Sequence, residues 1–322
     1  MNTIKTPKQL SALMNELSNQ IQKVIIGKET AVKMLITSLI SGGHVLIEDV
    51  PGTGKTTLAM ALSKATSLTC RRVQFTPDVM ASDITGFTMY NKSSEKFEYR
   101  KGLIMTNIFI ADEINRTSPK TQSSLLEAME EKKVTVDGVA HNLPEPFMVI
   151  ATENEFGYVG TFPLPEAQLD RFLLKLSLGY PELKDEMMIL HTRKIADPLD
   201  NVTPVCSAED IMACIKAVKD IHIDPAIYKY IVEIVSATRS HPFISLGASP
   251  RASLALMRAA QSCAFMDGRD YITPEDVAQM TTYVLPHRIH LNQEARVKHI
   301  TVENVVSEIM KAIKPPFSGN AE

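Results

Sequence analysis

Residues 44–57 have the sequence HVLIEDVPGTGKTT, from which the expected architecture follows. The apolar start, His44–Glu48, is typical of a buried strand, and the residues after Gly54 predict a helix that runs to about Lys64. Main-chain N–H groups of a glycine-rich turn and of the next helix point at a bound anion. A strand, such a turn and a Gly-Lys-Thr helix start therefore predict a phosphate-binding loop. We expect these residues to bind nucleotide: Val50, Pro51, Gly52, Thr53, Gly54, Lys55, Thr56 and Thr57.

Two side chains of this loop carry its expected chemistry. Lys55 would neutralise the outer phosphates, and the Thr56 hydroxyl would be a ligand of Mg²⁺. Asp49 occupies the position at which the G-x-x-x-x-G-K-[ST] pattern has its first glycine. We expect Pro51 and Gly52 to supply the turn instead. The alternative is a glycine-rich loop with a coincidental Lys-Thr pair.

Short apolar runs alternate with amphipathic stretches between about residues 44 and 178. Strands that alternate with helices in this way are typical of an α/β fold with a mostly parallel sheet. The predicted strands are Val45–Ile47, Val73–Phe75, Ile108–Ala111, Met148–Ala151 and Phe172–Leu178.

Helical spacing dominates after the break at Gly179-Tyr180-Pro181. The predicted helices there are Glu209–Lys219, Pro225–Thr238, Arg251–Phe265, Pro274–Tyr283 and Val302–Ile313. Two more amphipathic stretches, around Leu10–Leu17 and Val32–Ile40, precede the first strand. We expect an α/β core in residues 1–180 and a smaller, all-helical domain in residues 181–322.

Polar side chains follow the third and fourth predicted strands. Asp112 and Glu113 come directly after Ile108–Ala111, at the carboxyl end of a strand, where open α/β sheets bind ligands. Asp112 would hold the Mg²⁺ water shell, and Glu113 would polarise the attacking water. Asn154 follows the fourth strand and could orient that water, although an Asn after a strand is often a simple turn former.

Two arginines are candidates for contact with the γ-phosphate. Arg171, at the start of the fifth strand, is badly placed for its own chain's phosphates and could act on a neighbouring copy. Arg251 opens a helix of the second domain and could couple movement of that domain to the nucleotide state. The alternatives are a structural Asp170–Arg171 pair and a solvated Arg251.

Net charge, cysteine spacing and the length of apolar runs argue against several classes of protein. The net charge of −3 argues against a general nucleic-acid-binding coat. None of the 4 cysteines forms a C-x-x-C pair, which disfavours a zinc site. No secretory signal and no apolar run of about 20 residues are apparent, so we expect a cytoplasmic protein without a membrane span. His287 and His290 lack a third ligand at metal spacing, and we expect them at the surface.

In this order, the motifs resemble those of AAA+ ATPases, and among them the MoxR family. The resemblance extends from residue 1 to about residue 313, and the run from Gly160 to Phe172 is its most specific part. The matching stretches are Val24–Gly27, His44–Thr57, Asp112–Arg116, Ala151–Asn154, Gly160–Phe172 and Gly247–Arg251.

The resemblance implies a P-loop αβα core with a helical lid, ATP and Mg²⁺ as ligands, and the following residue roles. Val24, Ile25, Ile26 and Gly27 would contact the adenine. By similarity, Asn154 is sensor 1, Arg171 the arginine finger and Arg251 sensor 2, with Arg116 a second candidate to cross an interface. Residues 75–102 would hold an insertion, and Lys133–Asn142 a hairpin, as Asp137-Gly138 also indicates.

Members of this family resemble chaperones. They form hexameric rings and help to mature or activate protein partners, often with proteins that carry a von Willebrand factor A domain. The sequence thus favours an ATPase that remodels a protein partner. Its alternatives are a DNA motor or loader with the same core, a small-molecule kinase and a nucleotide switch without hydrolysis.

Overall fold

The computed structural model describes residues 5–50, 52–153, 161–194 and 197–317. Its helices are α1 Pro7–Gln22, α2 Glu29–Ile40, α3 Lys55–Ala65, α4 Ala81–Thr85, α5 Pro119–Glu131, α6 Glu166–Leu169, α7 Leu183–Arg193, α8 Ala208–Lys219, α9 Pro225–Ser240, α10 Pro250–Met266, α11 Pro274–Val284, α12 Gln293–Val297 and α13 Val302–Ala312. Its strands are β1 Val45–Glu48, β2 Cys70–Gln74, β3 Gly86–Asn91, β4 Lys96–Lys101, β5 Ile108–Asp112, β6 Lys133–Val136, β7 Val139–Asn142, β8 Met148–Glu153, β9 Leu174–Leu176, β10 Ile244–Leu246 and β11 His290–Leu291.

A parallel sheet of five strands in the order β2-β5-β8-β1-β9 forms the centre of the α/β half. Every residue of β5 is buried, as expected for a strand covered by helices on both faces. The five predicted strands and the α/β class are confirmed. The last strand is shorter than predicted, because beyond Leu176 the N–H groups of Leu178 and Gly179 donate to the Asp49 carboxylate.

The helical half packs against the α/β half through α1 and α2. Both N-terminal helices contact α8 and α10, and their buried side chains join one apolar core with those of β1 and the helical half. The predicted helices are all present, and Thr273 caps α11 with a capping box. A helical lid after the core is thus confirmed, and it also contains a short antiparallel strand pair, β10–β11, that the sequence analysis did not predict. The boundary at residue 180 stays a prediction.

A buried arginine joins the two halves. Arg288, just after α11, pairs with the Asp170 carboxylate at 2.7 Å and donates to the main-chain oxygens of Asp170 and Phe172. The neighbouring His287 also contacts the Phe172 oxygen, at 2.9 Å. The expectation of a surface position for His287 is wrong, because the ring is buried where the two halves meet. We call this contact region around Arg288 the joint. Burial and the adjacent Arg288 charge lower the pKa of His287 well below its ordinary value.

Two antiparallel hairpins project from the α/β half. The predicted hairpin in residues 133–142 is confirmed as β6–β7. The expected insertion in residues 75–102 contains α4 and a second hairpin, β3–β4, which the sequence analysis did not predict. The rings of Tyr99 and His141 stack at 3.8 Å between centroids and so connect the two hairpins. Among the described residues, no helix combines the length and the apolar character needed to cross a membrane.

Candidate functional site

The loop after β1 has the backbone shape that anion binding needs. Gly52 and Gly54 adopt φ angles of +88° and +91°, which are available to glycine with little strain. Lys55 begins α3 and is buried, and its Nζ donates to the main-chain oxygens of Asp49 at 2.7 Å and Glu153 at 3.2 Å. These contacts hold the ammonium group against the loop. Pro51 lies outside the described residues.

Asp49, where the general motif has glycine, ties the loop to the end of β9. Its Oδ2 accepts hydrogen bonds from the N–H groups of Leu178 and Gly179, both at 2.6 Å. Its Oδ1 accepts from the N–H of Val50 at 2.8 Å. The carboxylate therefore satisfies three main-chain donors where the chain leaves the sheet, a role that a glycine cannot fill.

A cleft of about 430 Å³ lies beside this loop, a volume typical of small-molecule sites. Val24, Ile25 and Ile26 form an apolar wall, and side chains of α7 line the cleft as well. Gly27 does not line the cleft itself. It packs against Asp185 of α7, where a Cβ would lie 2.0 Å from the carboxylate. The sequence-predicted adenine segment and the phosphate loop are thus brought to one cavity. Residues shared with the predicted nucleotide site are Val24, Ile25, Ile26, Gly52, Thr53, Gly54, Lys55, Thr56 and Thr57.

Asp112 lies at the carboxyl end of β5, next to the phosphate loop. Its buried carboxylate accepts from the Thr56 hydroxyl at 3.1 Å and from the Thr152 hydroxyl at 3.4 Å. Arg72 of β2 pairs with the same carboxylate at 2.6 Å. Hydroxyl and carboxylate oxygens are suitable ligands for Mg²⁺, so the predicted pair Thr56 and Asp112 fits that ion.

The Glu113 side chain is held by contacts with β2 and with a nearby arginine. Its Oε2 accepts from Gln74 of β2 at 2.8 Å and pairs with Arg116 at 2.7 Å. Its N–H donates to the Thr152 hydroxyl at 2.9 Å. Arg116, the second candidate to reach a neighbour, therefore contacts a carboxylate of its own chain.

The sequence analysis missed Arg72, Gln74 and Thr152. Arg72 and Gln74 are two residues apart on β2, and the register pairs Gln74 with Asp112 across the sheet. Their spacing of two residues in the stretch CRRVQ could have indicated that they share one face of the strand. The predicted water-orienting Asn154 lies outside the described residues.

Glu153 ends β8 beside the loop and has a perturbed carboxyl group. Burial, together with the nearby Glu48 carboxylate, raises the pKa of Glu153 to about 7, and Lys175 opposes this shift. Lys175 itself pairs with Glu48. The main-chain oxygen of the same Glu153 accepts from Lys55, so this cluster lies at the strand end that contacts the loop.

Arg171 and Arg251 lie together in a second cleft, of about 380 Å³. This cleft is lined by residues 41–44, which precede β1, whereas the phosphate loop follows β1. The two clefts thus lie at opposite ends of that strand. The structure does not bring Arg251 over the phosphate loop of its own chain, because Asp170 binds Ser249, the cap of α10, at 2.8 Å near the start of β9.

Comparisons with known proteins agree with this geometry. Residues 44–174 match the ATPase family associated with various cellular activities (AAA), and residues 236–309 match an AAA lid domain. The chain is 36% identical to Chaperone MoxR1 of Mycobacterium tuberculosis, over 92% of this chain and 81% of that protein. It is 48% identical to YeaC of Bacillus subtilis, over 98% of both chains.

A solved structure is also similar. A crystal structure of a candidate ATPase from Cytophaga hutchinsonii superposes with a TM-score of 0.88 at 35% identity, covering 95% of this chain and 96% of that one. The similarity to this structure therefore extends over almost the whole chain.

Proposed function

The chain belongs to the MoxR family of AAA+ ATPases, and from this we propose that it binds and hydrolyses ATP and uses that cycle to remodel a protein partner. The observation that supports hydrolysis most is the convergence of a buried Lys55, the Thr56–Asp112 pair and Glu113 at one edge of the sheet. A phosphate loop without a nearby carboxylate could bind nucleotide without turnover.

Each group has a distinct role in the proposed reaction. The adenine lies against Val24, Ile25 and Ile26, and Lys55 with the main-chain N–H groups of the loop binds the phosphates. Thr56 and Asp112 would hold Mg²⁺, which supplies charge neutralisation of the phosphates when bound. Glu113 accepts a proton from the water that attacks the γ-phosphorus, so that ADP and inorganic phosphate leave.

We further propose that the active site is completed by a second copy of the chain. Arg171 and Arg251 lie away from their own phosphate loop, and an arginine supplied in trans stabilises charge in phosphoryl transfer. The assembly expected from the family is a hexameric ring in the cytoplasm that acts on a protein client, with a protein that carries a von Willebrand factor A domain as one candidate. The net charge of −3 gives no support to action on DNA.

Two substitutions test the assignment of the site. Glu113→Gln should bind Mg·ATP as the wild type does but turn it over far more slowly, because the amide cannot take the proton. Lys55→Ala should lose most ATP affinity, because it removes the buried ammonium. The matched control is Lys64→Ala at the far end of α3, where the lysine contacts Leu199 and Asp200.

Phosphate release and calorimetric ATP binding are the measurements. Wild-type turnover in purified Glu113→Gln, or unchanged affinity in Lys55→Ala, would contradict the proposed site. Trapping of a protein partner by ATP-bound Glu113→Gln would support remodelling.

A further inference from the structure

One carboxylate holds both arginines of the second cleft. Glu130, near the end of α5, pairs through Oε2 with Nη1 of Arg171 at 2.8 Å and through Oε1 with Nη2 of Arg251 at 2.7 Å. Each oxygen serves one guanidinium group. Since Arg171 belongs to the α/β half and Arg251 to the helical half, Glu130 fixes the relative position of two side chains from different parts of the fold.

The backbones that carry these arginines are fixed to each other as well. Asp170, adjacent to Arg171, accepts from the hydroxyl of Ser249 at 2.8 Å, and Ser249 caps the helix that Arg251 opens. Arg288 pairs with the other oxygen of Asp170. The main-chain segments that carry the two arginines are therefore held together. Glu130 then orients the ends of the two side chains.

The cleft around them can accept an anion. Five cationic side chains and two carboxylates line it, and Arg251 is 55% exposed in its side chain. The cationic residues are Lys132, Arg171, Arg251, Arg258 and Arg288, and the acidic ones are Glu130 and Asp170. A guanidinium group carries five N–H donors, so the pair with Glu130 leaves donors of Arg251 for a ligand.

We infer that Glu130 is a positioning residue, which holds Arg171 and Arg251 as a pair for the triphosphate bound by a neighbouring copy. This inference rests on the proposed function. The chain's own triphosphate is excluded as the ligand, because its loop lies at the opposite end of β1. A carboxylate shared by two guanidinium groups keeps both in one geometry before the phosphate arrives, which lowers the entropy lost on contact.

The first test compares Glu130→Ala with Glu131→Ala. Glu131 is the next residue of α5 and pairs with Lys133 outside the cleft. Glu130→Ala should lower kcat by roughly 10²-fold, the cost of misplacing a catalytic group by about 1 Å, with unchanged ATP affinity. Glu131→Ala should match the wild type. Glu130→Gln, which retains one acceptor oxygen, should give an intermediate kcat.

The second test asks whether the defect is repaired by a neighbour. Glu130→Ala and Glu113→Gln chains are co-expressed with different tags, and hybrid assemblies are purified through both. In a hybrid, an intact phosphate loop and Glu113 of the first chain face intact arginines of the second chain. The turnover of the hybrids should exceed the sum of the two homogeneous proteins.

Each other outcome overturns the inference. A wild-type kcat in Glu130→Ala means that Glu130 does not position the arginines, and a raised kcat means that it restrains them. A slow variant without recovery in hybrids means that Glu130 acts within its own chain. Failure of the proposed function itself is distinguished by a wild-type protein that releases no phosphate.

Discussion

Glu153 illustrates how the environment of a single side chain next to the phosphate loop affects the whole protein. Its pKa of about 7 lies above the ordinary value of 4.5, so the folded protein retains a proton that the unfolded chain has lost. The free energy of unfolding should therefore fall as the pH rises from about 4.5 to about 7 and stay level above that range. At 1.36 kcal/mol per pKa unit, the loss is at most about 3 kcal/mol.

Glu153→Gln should remove this pH dependence and stabilise the protein at pH 7.5 and above. Urea denaturation at a series of pH values measures it, with Glu16→Gln on the exposed side of α1 as the control. An unchanged slope between pH 4.5 and 7 in the Glu153 variant would show that another group is responsible.

The side chains proposed to be catalytic were more predictable from the sequence than the side chains that contact them. Lys55, Thr56, Asp112 and Glu113 were found because motif spacing and strand ends indicate chemistry directly. Glu130 was not predicted, because an acidic residue near a helix end is typical of many solvated helices. Only the folded chain brings Arg251, at the start of α10, to Glu130, near the end of α5.

Among the strands and helices, the connection between the phosphate loop and β9 depends on Asp49. Asp49→Gly would restore the general motif but leave the N–H groups of Leu178 and Gly179 without their acceptor. We expect a loss of about 2–4 kcal/mol in the free energy of unfolding, since buried unsatisfied donors each cost about 1–3 kcal/mol.

Thermal and urea unfolding measure this loss, and Asp78→Gly in an exposed turn controls for added backbone freedom. A stability equal to that of the control would mean that the tie between loop and strand is not needed for folding.

The periodicity of the sequence predicted the buried strands and the amphipathic helices well, but it missed two exposed elements. Helix α7 has no buried residue, and Leu183, Met187 and Leu190 are exposed on it. The hairpin β3–β4 is also mostly exposed. Leu183, Met187 and Leu190 stand at i, i+4 and i+7, so the helical period is present in the sequence even though this face is exposed, and the prediction overlooked it.

For the chain as a whole, the joint around Arg288 maintains the position of the helical half. Arg288→Met should lower the free energy of unfolding by about 3–5 kcal/mol, because it leaves the Asp170 carboxylate and several main-chain oxygens without their partner. Hydrogen exchange should increase in α11 and at the start of β9.

Arg296→Met, on the exposed side of α12, is the matched control. Equal exchange in both variants would show that apolar packing alone holds the two halves together.

The division into a sheet-containing half and a helical half was predictable from the apolar patterns along the chain. The contact between the two halves through α1 and α2 was not predictable, because the local spacing of apolar residues does not show which distant helix faces meet.

The placement of the two clefts at opposite ends of β1 has a consequence for symmetry. If one cleft donates arginines and the other receives them, the contact between copies is heterologous, and a two-fold dimer cannot satisfy it with one surface patch. A head-to-tail pair leaves one donor and one acceptor unused at its ends. Such an arrangement is completed only by cyclic closure, and otherwise it grows as an open filament.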